Sequence, residues 1–553
     1  MPVSLAPYPD IPLFTRLDES AARFPDHTAV ISSVGLPGGG RAHASLSYRE
    51  LGALSDRLAA ALTALGVRKG DRVGLILPNC AQFVIAFFAV LKAGGVVVAL
   101  NPSFPPARWA DQINDSGVEV AIALAQFYDG LKGIRGETPL RQAILTPFDQ
   151  FYPASQRAKR PRKPLAEGDH WLADLLDAYS PGQRPAVTIN PAQDGAIFQY
   201  TGGTTGVPKA ARSPHKALVA NSLQFQRWLR GDLPDEEEVF LAAVPLFHVY
   251  GMVAVMSYAV SMGAALVMVP SARDADDLLS CIDTFKPTIF MGVPGLYNTI
   301  NYHPDVVAGK YDLGSIRACI SGSAPLAAET KRRFEALTGG TLMEGYGMSE
   351  TPTATHINPL RGENRVGSIG LPFPDVECRI VSLEDEISDV PVGEKGELVL
   401  RGPALMTGYH NMPEETALAL RDGWLYTGDI ATMDEDGYFY IVDRKKDMAI
   451  VGGFNVYPNL VEQELAAHPA VKEAAVAGIP HPHKPGEEAI KAWVVLAPGQ
   501  ETTAEALIDY CKTQTRLAPY EIPRRFSFVA ELPKSAVGKV LRRELVRMES
   551  GGE

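Results

Sequence analysis

Cysteine is scarce in this chain: five occur among 553 residues, at positions 80, 281, 319, 378 and 511. Their number is odd and no Cys-x-x-Cys spacing occurs. That excludes a disulfide framework or a thiolate zinc site as the organising device, and reduced core thiols are expected. Basic charge is also in deficit. The chain has 52 Lys and Arg against 64 Asp and Glu, a formal net charge of −12, which argues against general nucleic-acid binding. The opening Met1-Pro-Val-Ser-Leu lacks the basic and apolar stretches of a secretory leader, so a cytoplasmic protein is expected. No internal repeat is present.

From Val239 to Ala272 there is no Asp, Glu, Lys or Arg, a stretch long enough to cross a bilayer. Pro245, His248, Gly251, Gly263 and Pro270 interrupt it. The pattern predicts a strand, a short loop, a buried helix near 252–262 and a strand over 264–269. Phe83 to Leu100 reads likewise as an apolar helix leading through Gly94-Gly95 into a buried strand. Such alternation predicts α/β layers whose strands are covered on both faces.

At this length more than one core is needed. The Pro- and cation-rich stretch Pro153 to Asp169 is read as a solvated connection. Gly and acidic turns between short apolar runs from Asp385 to Gly437 predict a small β-rich subdomain. The main boundary is expected at 443–446, giving a large layered α/β region over 1–443 and a small compact α+β region over 444–553.

The densest chemical signal is Tyr200-Thr-Gly-Gly-Thr-Thr-Gly-Val-Pro-Lys-Ala-Ala211. Glycine allows the backbone to approach an anion closely, threonine hydroxyls and backbone N–H groups donate to phosphate oxygens, and Lys209 adds a charge. It is not a Walker A loop, because Pro208 precedes the lysine and the next helix signal comes only at Ser213-Pro214. Further along lie Glu344-Gly-Tyr-Gly-Met-Ser-Glu350-Thr351, Tyr426-Thr-Gly-Asp429, Asp443-Arg-Lys-Lys446-Asp with Gly452-Gly-Phe-Asn-Val-Tyr-Pro458, and Leu532-Pro-Lys-Ser-Ala-Val-Gly-Lys539.

In this order the motifs resemble the AMP-forming adenylate-forming superfamily, which contains the acyl-CoA synthetases, the adenylation domains of peptide synthetases and the luciferases. The C-terminal run Pro533 to Leu545 is most similar to bacterial fatty-acid–CoA ligases. The resemblance implies ATP, Mg²⁺ and CoA as cofactors and substrates. It further implies that Thr201, Gly202, Gly203, Thr204, Thr205, Gly206 and Lys209 hold phosphates. Ser323, Ala324 and Pro325 would border adenine, and Gly345, Tyr346, Gly347, Met348 and Ser349 would carry the stacking ring and a hydroxyl for the α-phosphate. Glu350 with Thr201 would bind the metal. Asp429 with Arg444 would hold the ribose, and Lys539 would bridge carboxylate and α-phosphate.

His248, in Pro245-Leu-Phe-His, would lie by the substrate carboxylate. Tyr250, Met252 and Gly322 would line the acyl chain, Gly452 and Gly453 would meet CoA, and Lys446 would be the hinge of a mobile lid over 444–553. Ala210 and Leu460 depart from the family's commonest residues, and Met252 stands where some long-chain enzymes carry a gating tryptophan, so chain length is left undecided. The expected activity is conversion of a medium- or long-chain fatty acid to its CoA thioester. Aryl-acid–CoA ligation, loading of a carrier protein, a luciferase-like oxidase and a degenerate nucleotide-binding scaffold stay open beside it. Peripheral membrane contact and a homodimer are compatible with the sequence.

Overall fold

The computed structural model of the chain describes residues 3–35, 41–158, 162–201, 208–230, 238–481, 488–535 and 538–550. They form two compact units, Met1–Val376 with Gly402–Leu418, and Glu377–Arg401 with Ala419–Glu553.

The first unit is built on two mixed sheets of nine and eight strands. The inner strands of the larger one, Thr341–Tyr346, Ala318–Ser321, Ile289–Gly292, Val239–Ala242, Ala265–Met268 and Thr28–Gly35, run parallel in that order. In the other, Gly195–Tyr200, Val96–Ala99, Arg72–Ile76, Val120–Leu124, Gln142–Thr146 and His170–Trp171 are parallel. Adjacent residues of one strand point to opposite faces, and here they enter different apolar clusters: Leu75 and Ile76, Val97 and Val98, Phe240 and Leu241. Each sheet is therefore covered on both sides, which is why its strands read as unbroken apolar runs. One cluster draws on both sheets and encloses the helix Ala81–Lys92, every residue of which is buried. The cation at its end is neutralised: Lys92 Nζ lies 2.7 Å from Asp56 and 3.2 Å from Asp18.

The uncharged stretch is core. Strand Val239–Ala242 leads to a π-helix, Tyr250–Ser257, continued by the α-helix Tyr258–Met262 and the strand Ala265–Met268. The expected element order is present, but the helix is wound more widely than a regular α-helix, and Ser257 Oγ donates to the Met252 carbonyl five residues back at 2.8 Å. Gly251 is required where it enters, since a Cβ there would fall 2.3 Å from the Pro245 carbonyl oxygen. Among the described residues no helix is long and apolar enough to cross a membrane. In the connection after Pro153, Arg162 pairs with Asp174 and Lys163 with Asp129, in keeping with a solvated segment.

The second unit begins with an antiparallel sheet of Glu377–Val381, Gly396–Arg401, Trp424–Met433, Leu420–Arg421 and Phe439–Arg444. Next come the hairpin Ala449–Val451/Phe454–Val456, the helix Pro458–Ala466 and a sheet of Val471–Pro480, Glu488–Leu496 and Arg525–Phe528. Val461 and Leu465, with Leu507 and Cys511 of the helix Ala504–Thr513, cover one face of that sheet. Leu545 of the helix Arg542–Ser550 packs on the other, with Ala475 and Trp493. The chain is α/β, and the stretch 443–446 lies inside this second unit.

Candidate functional site

In the first unit, strands Gly195–Tyr200 and Ala210–Pro214 pair antiparallel, with Tyr200 opposite Ala210. Thr201 N–H donates to the Lys209 carbonyl at 2.8 Å, so the two ends of the Gly/Thr run are bridged across a hairpin. The helix His215–Arg230 starts directly after the second strand, one residue beyond Pro214, the expected first helical position, which instead ends that strand opposite Gly195. Gly202, Gly203, Thr204, Thr205 and Gly206 lie outside the described residues.

A short strand, Gly408–Tyr409, adds to this hairpin and places Tyr409 opposite Ala211. The Lys209 ammonium stands 5.3 Å over the Tyr409 ring and is paired with Glu415. The Tyr409 hydroxyl donates to Glu350 Oε1 at 2.6 Å, and Glu350 is buried. Burial, then the Glu350 charge, lifts the Tyr409 hydroxyl far above the ordinary phenol range. One ring thus joins the lysine of the hairpin to the carboxylate after Tyr346. Sequence reasoning missed Tyr409 and Glu415; the signal was an aromatic after a glycine, followed by Pro413-Glu-Glu415 in a turn-rich stretch.

Tyr346 ends the strand Thr341–Tyr346, is half-buried, and meets His356 edge-on with ring centroids 6.0 Å apart. A Cβ on Gly347 would sit 1.6 Å from the Thr353 carbonyl oxygen, so glycine is needed there because two backbones touch, a reason stronger than clearance for the ring. Met348 begins a turn closed by Thr351, which donates N–H to the Met348 carbonyl at 3.1 Å and accepts the Met348 N–H on Oγ1 at 3.2 Å. Ser349 is half-buried between them. Before Tyr346, burial pushes the Glu344 carboxyl up to about 8, and Leu326 N–H reaches Glu344 Oε1 at 3.4 Å. That contact ties the Ser323-Ala324-Pro325 turn, with Ser323 at φ 71°, to the segment carrying Tyr346.

The acyl candidates also converge. A Cβ on Gly322 would lie 3.3 Å from the Tyr250 ring, whose hydroxyl donates to the Ile320 carbonyl at 2.8 Å. His248 Nδ1 accepts the Tyr250 N–H at 3.2 Å, which assigns the ring proton to Nε2. Burial lowers the His248 pKa to about 4, so it is neutral at pH 7. Met252 is fully buried in the π-helix.

In the second unit, Asp429 and Arg444 are cross-strand partners, with Arg444 Nε 3.2 Å from Asp429 Oδ1. Asp429 is 4% exposed, and its N–H donates to Thr427 Oγ1 at 3.1 Å. Lys445 is anchored by Glu397 at 2.9 Å and by Glu386. The half-buried Lys539 stands in the same electrostatic neighbourhood. Desolvation, then the Arg444 charge, lowers its pKa to about 7, against the opposing pull of Asp429 and Asp447. Asp429, Arg444 and Asp447, from two places in the sequence, thus act on the charge of Lys539 from a third.

Lys446 is exposed between Lys445 and Asp447. Gly452 and Gly453, at φ 58° and 84°, make the two-residue turn of the hairpin in which Val451 faces Phe454, a geometry that requires two left-handed residues. Leu460 packs near Ile430, Val442 and Tyr457. The first unit thus holds the candidates through Glu350, and the second holds Asp429, Arg444, Lys446, Gly452, Gly453 and Lys539.

Comparison with known proteins gives a consistent result. The sequence model described as AMP-binding enzyme matches residues 17–410, and that of the AMP-binding enzyme C-terminal domain matches 460–539. The chain is 41% identical to a long-chain-fatty-acid–CoA ligase of Bacillus subtilis (strain 168), over 98% of the chain and 96% of that relative. Its structure resembles ATP-bound MatB from Rhodopseudomonas palustris with TM-score 0.84 and 30% identity, covering 98% of this chain and 99% of that one. It resembles the anthranilate CoA ligase AuaEII, in complex with anthranoyl-AMP, with TM-score 0.83 and 29% identity, covering 99% and 98%.

Proposed function

The chain belongs to the AMP-binding enzyme family, and from that premise we propose that it converts a medium- or long-chain fatty acid, with ATP and CoA, to the acyl-CoA thioester, AMP and pyrophosphate. The observation that carries this reading is the buried Asp429 paired with Arg444 at 3.2 Å, an acid suited to ribose hydroxyls whose charge also acts on Lys539.

A free carboxylate resists nucleophiles. In the first half-reaction one of its oxygens attacks the α-phosphorus, the bond to the bridging oxygen breaks, and pyrophosphate leaves. In the second, the CoA thiolate attacks the acyl carbon of the mixed anhydride, and AMP leaves with the oxygen that came from the acid. Two anions must meet in the first step, so oriented donors and positive charge belong at the α-phosphate. Lys539 supplies the charge there, Ser349 a hydroxyl, Tyr346 a face for adenine, Asp429 acceptors for the ribose, and Lys209 with the Gly/Thr run the contacts to the outer phosphates. His248, neutral with its proton on Nε2, donates toward the substrate carboxylate.

Glu350 fits a hard cation. It is a buried carboxylate whose Oε1 accepts the Tyr409 hydroxyl, and Glu350 with Thr201 would hold Mg²⁺ by the substrate phosphates. When bound, the ion would screen phosphate charge. Lys446 is read as the hinge between the region over 1–443 and the lid over 444–553, and the Gly452-Gly453 turn as the CoA contact. A cytoplasmic location goes with this reading.

An aryl-acid substrate is the second reading, favoured by the similarity to the anthranilate ligase. The test is ATP-dependent pyrophosphate release over a panel of fatty and aryl acids, with and without CoA, with products identified by mass. CoA-stimulated turnover to a fatty acyl-CoA is expected. Aryl thioesters alone would replace the substrate class, CoA-independent accumulation of acyl-AMP would point to carrier-protein loading, and no release with any acid would reject the enzyme.

A further inference from the structure

Lys539 sits in a closed loop: Ser535 N–H donates to its carbonyl at 2.8 Å, its own N–H donates to Ser535 Oγ at 3.1 Å, and Leu541 N–H donates to the Pro533 carbonyl at 2.8 Å. These bonds shape the loop, and two side chains flanking Lys539 tie it to the rest of the unit. Lys534 Nζ pairs with Glu473 Oε2 at 2.6 Å, and three residues after Lys539 comes Arg542, the first residue of the last helix and the more heavily bonded of the two. Its guanidinium grips Glu462 in a two-point fork, Nε to Oε1 at 2.9 Å and Nη2 to Oε2 at 2.7 Å. It also reaches Asp447 Oδ2 from Nη1 at 3.3 Å and Asn459 Oδ1 from Nη2.

The network continues through backbone. Asn459 N–H donates to Asp443 Oδ2 at 2.7 Å, Asp443 Oδ1 accepts the Arg444 N–H at 2.7 Å, and Glu462 Oε1 accepts the Val476 N–H at 2.7 Å. An unbroken chain of contacts therefore runs from Arg542 to Arg444, the partner of Asp429. Exposed ion pairs contribute little, but the Arg542, Asp447 and Glu462 side chains are only 15%, 14% and 19% exposed. Burial works against the guanidinium charge, yet Glu462, Asp443 and Asp447 outweigh it and hold Arg542 above its usual range. A forked pair of this kind fixes direction as well as distance.

We propose that Arg542 is a positioning residue for the first half-reaction: it fastens the Lys539 loop to residues 443–447 and the helix Pro458–Ala466, and so sets the Lys539 ammonium beside Asp429 and Arg444. This rests on the reading of Lys539 as the first-step cation. Asp447, Asn459 and Glu462 hold Arg542, and the double variant below separates action through Lys539 from action through Arg444.

The test uses the full chain. Acid-dependent ATP–pyrophosphate exchange and thioester formation from supplied acyl-AMP are measured for Arg542→Met, Arg542→Lys, Lys539→Ala and the Lys539→Ala/Arg542→Met double variant. Arg542→Met/Glu462→Gln, which leaves no orphan carboxylate, serves if Arg542→Met does not fold. Displacing a reacting group by about 1 Å can cost about 100-fold. Exchange by Arg542→Met is therefore expected to fall about 10- to 100-fold, with thioester formation from acyl-AMP kept and Arg542→Lys intermediate. The double variant should match Lys539→Ala, because a residue acting only through a missing partner has nothing left to lose. Equal loss in both half-reactions, or losses that multiply in the double variant, would overturn the proposal. Normal exchange by Lys539→Ala would instead overturn the assignment on which it rests.

Discussion

The two units handle charge in opposite ways. In the first, Lys209 already has a counter-ion in Glu415 and lies over the face of Tyr409, while Glu350 has a hydrogen bond from the same residue. In the second, Arg444 pairs with Asp429, Asp447 pairs with Arg542, and Lys539 is held near pKa 7 by desolvation and by Arg444. The first region is balanced before any ligand arrives, so an incoming phosphate must displace a carboxylate. In the second, desolvation and neighbouring cations hold down the Lys539 charge, and an anionic ligand would favour its protonation. Specificity for an anion can thus come from exchange in one place and from induced protonation in another.

Substitutions can break that contrast, from the largest expected effect to the smallest. Lys539→Ala should lower acyl-AMP formation about 100-fold or more while sparing thioester formation from supplied acyl-AMP; equal loss in both would remove Lys539 from the first step. Lys446→Pro should leave adenylation intact and slow thioester formation about tenfold, by restricting the backbone rotation a hinge needs; unchanged thioester formation would count against domain alternation. Tyr409→Phe removes one hydrogen bond to a charged group, so adenylation should fall about tenfold with a raised Mg²⁺ requirement. A Mg²⁺ titration identical to the parent's would mean that Tyr409 does not orient Glu350. Glu415→Gln frees Lys209, and equilibrium dialysis should find ATP binding tightened about two- to fivefold; weaker binding would make Glu415 a support for the lysine, not its competitor.

The smallest effect concerns Glu344. Its folded pKa of about 8 exceeds the ordinary 4.5, so the folded state binds the extra proton between those values. Its contribution is fully present below pH 4.5 and is lost as pH rises toward 8. Glu344→Gln should flatten that part of the stability–pH curve in denaturant titrations, and an unchanged slope would show that Glu344 does not titrate there.

Legibility in the sequence followed physical locality. The buried helix Ala81–Lys92 and the uncharged core from Val239 were readable because burial on all sides leaves an unbroken apolar record. The late helix start was readable to within a residue from Ser213-Pro214, whereas the hairpin turn at Gly452-Gly453 was not read as one. The π winding of Tyr250–Ser257 was not readable, since it leaves the same unbroken apolar run as a buried α-helix. Tyr409, Glu415 and Arg542 escaped for a related reason. Their partners lie 59, 206 and 80 residues away, and no local period marks such pairs.

The central claim is that the acid is activated through acyl-AMP, and isotope transfer tests it most directly. A fatty acid carrying ¹⁸O in both carboxylate oxygens is turned over with ATP, Mg²⁺ and CoA, and the nucleotide and thioester are weighed by mass spectrometry. The account predicts one ¹⁸O in AMP, one in the acyl-CoA carbonyl and none in pyrophosphate. Label in inorganic phosphate with ADP as the nucleotide, or thioester formed with unlabelled AMP, would contradict it.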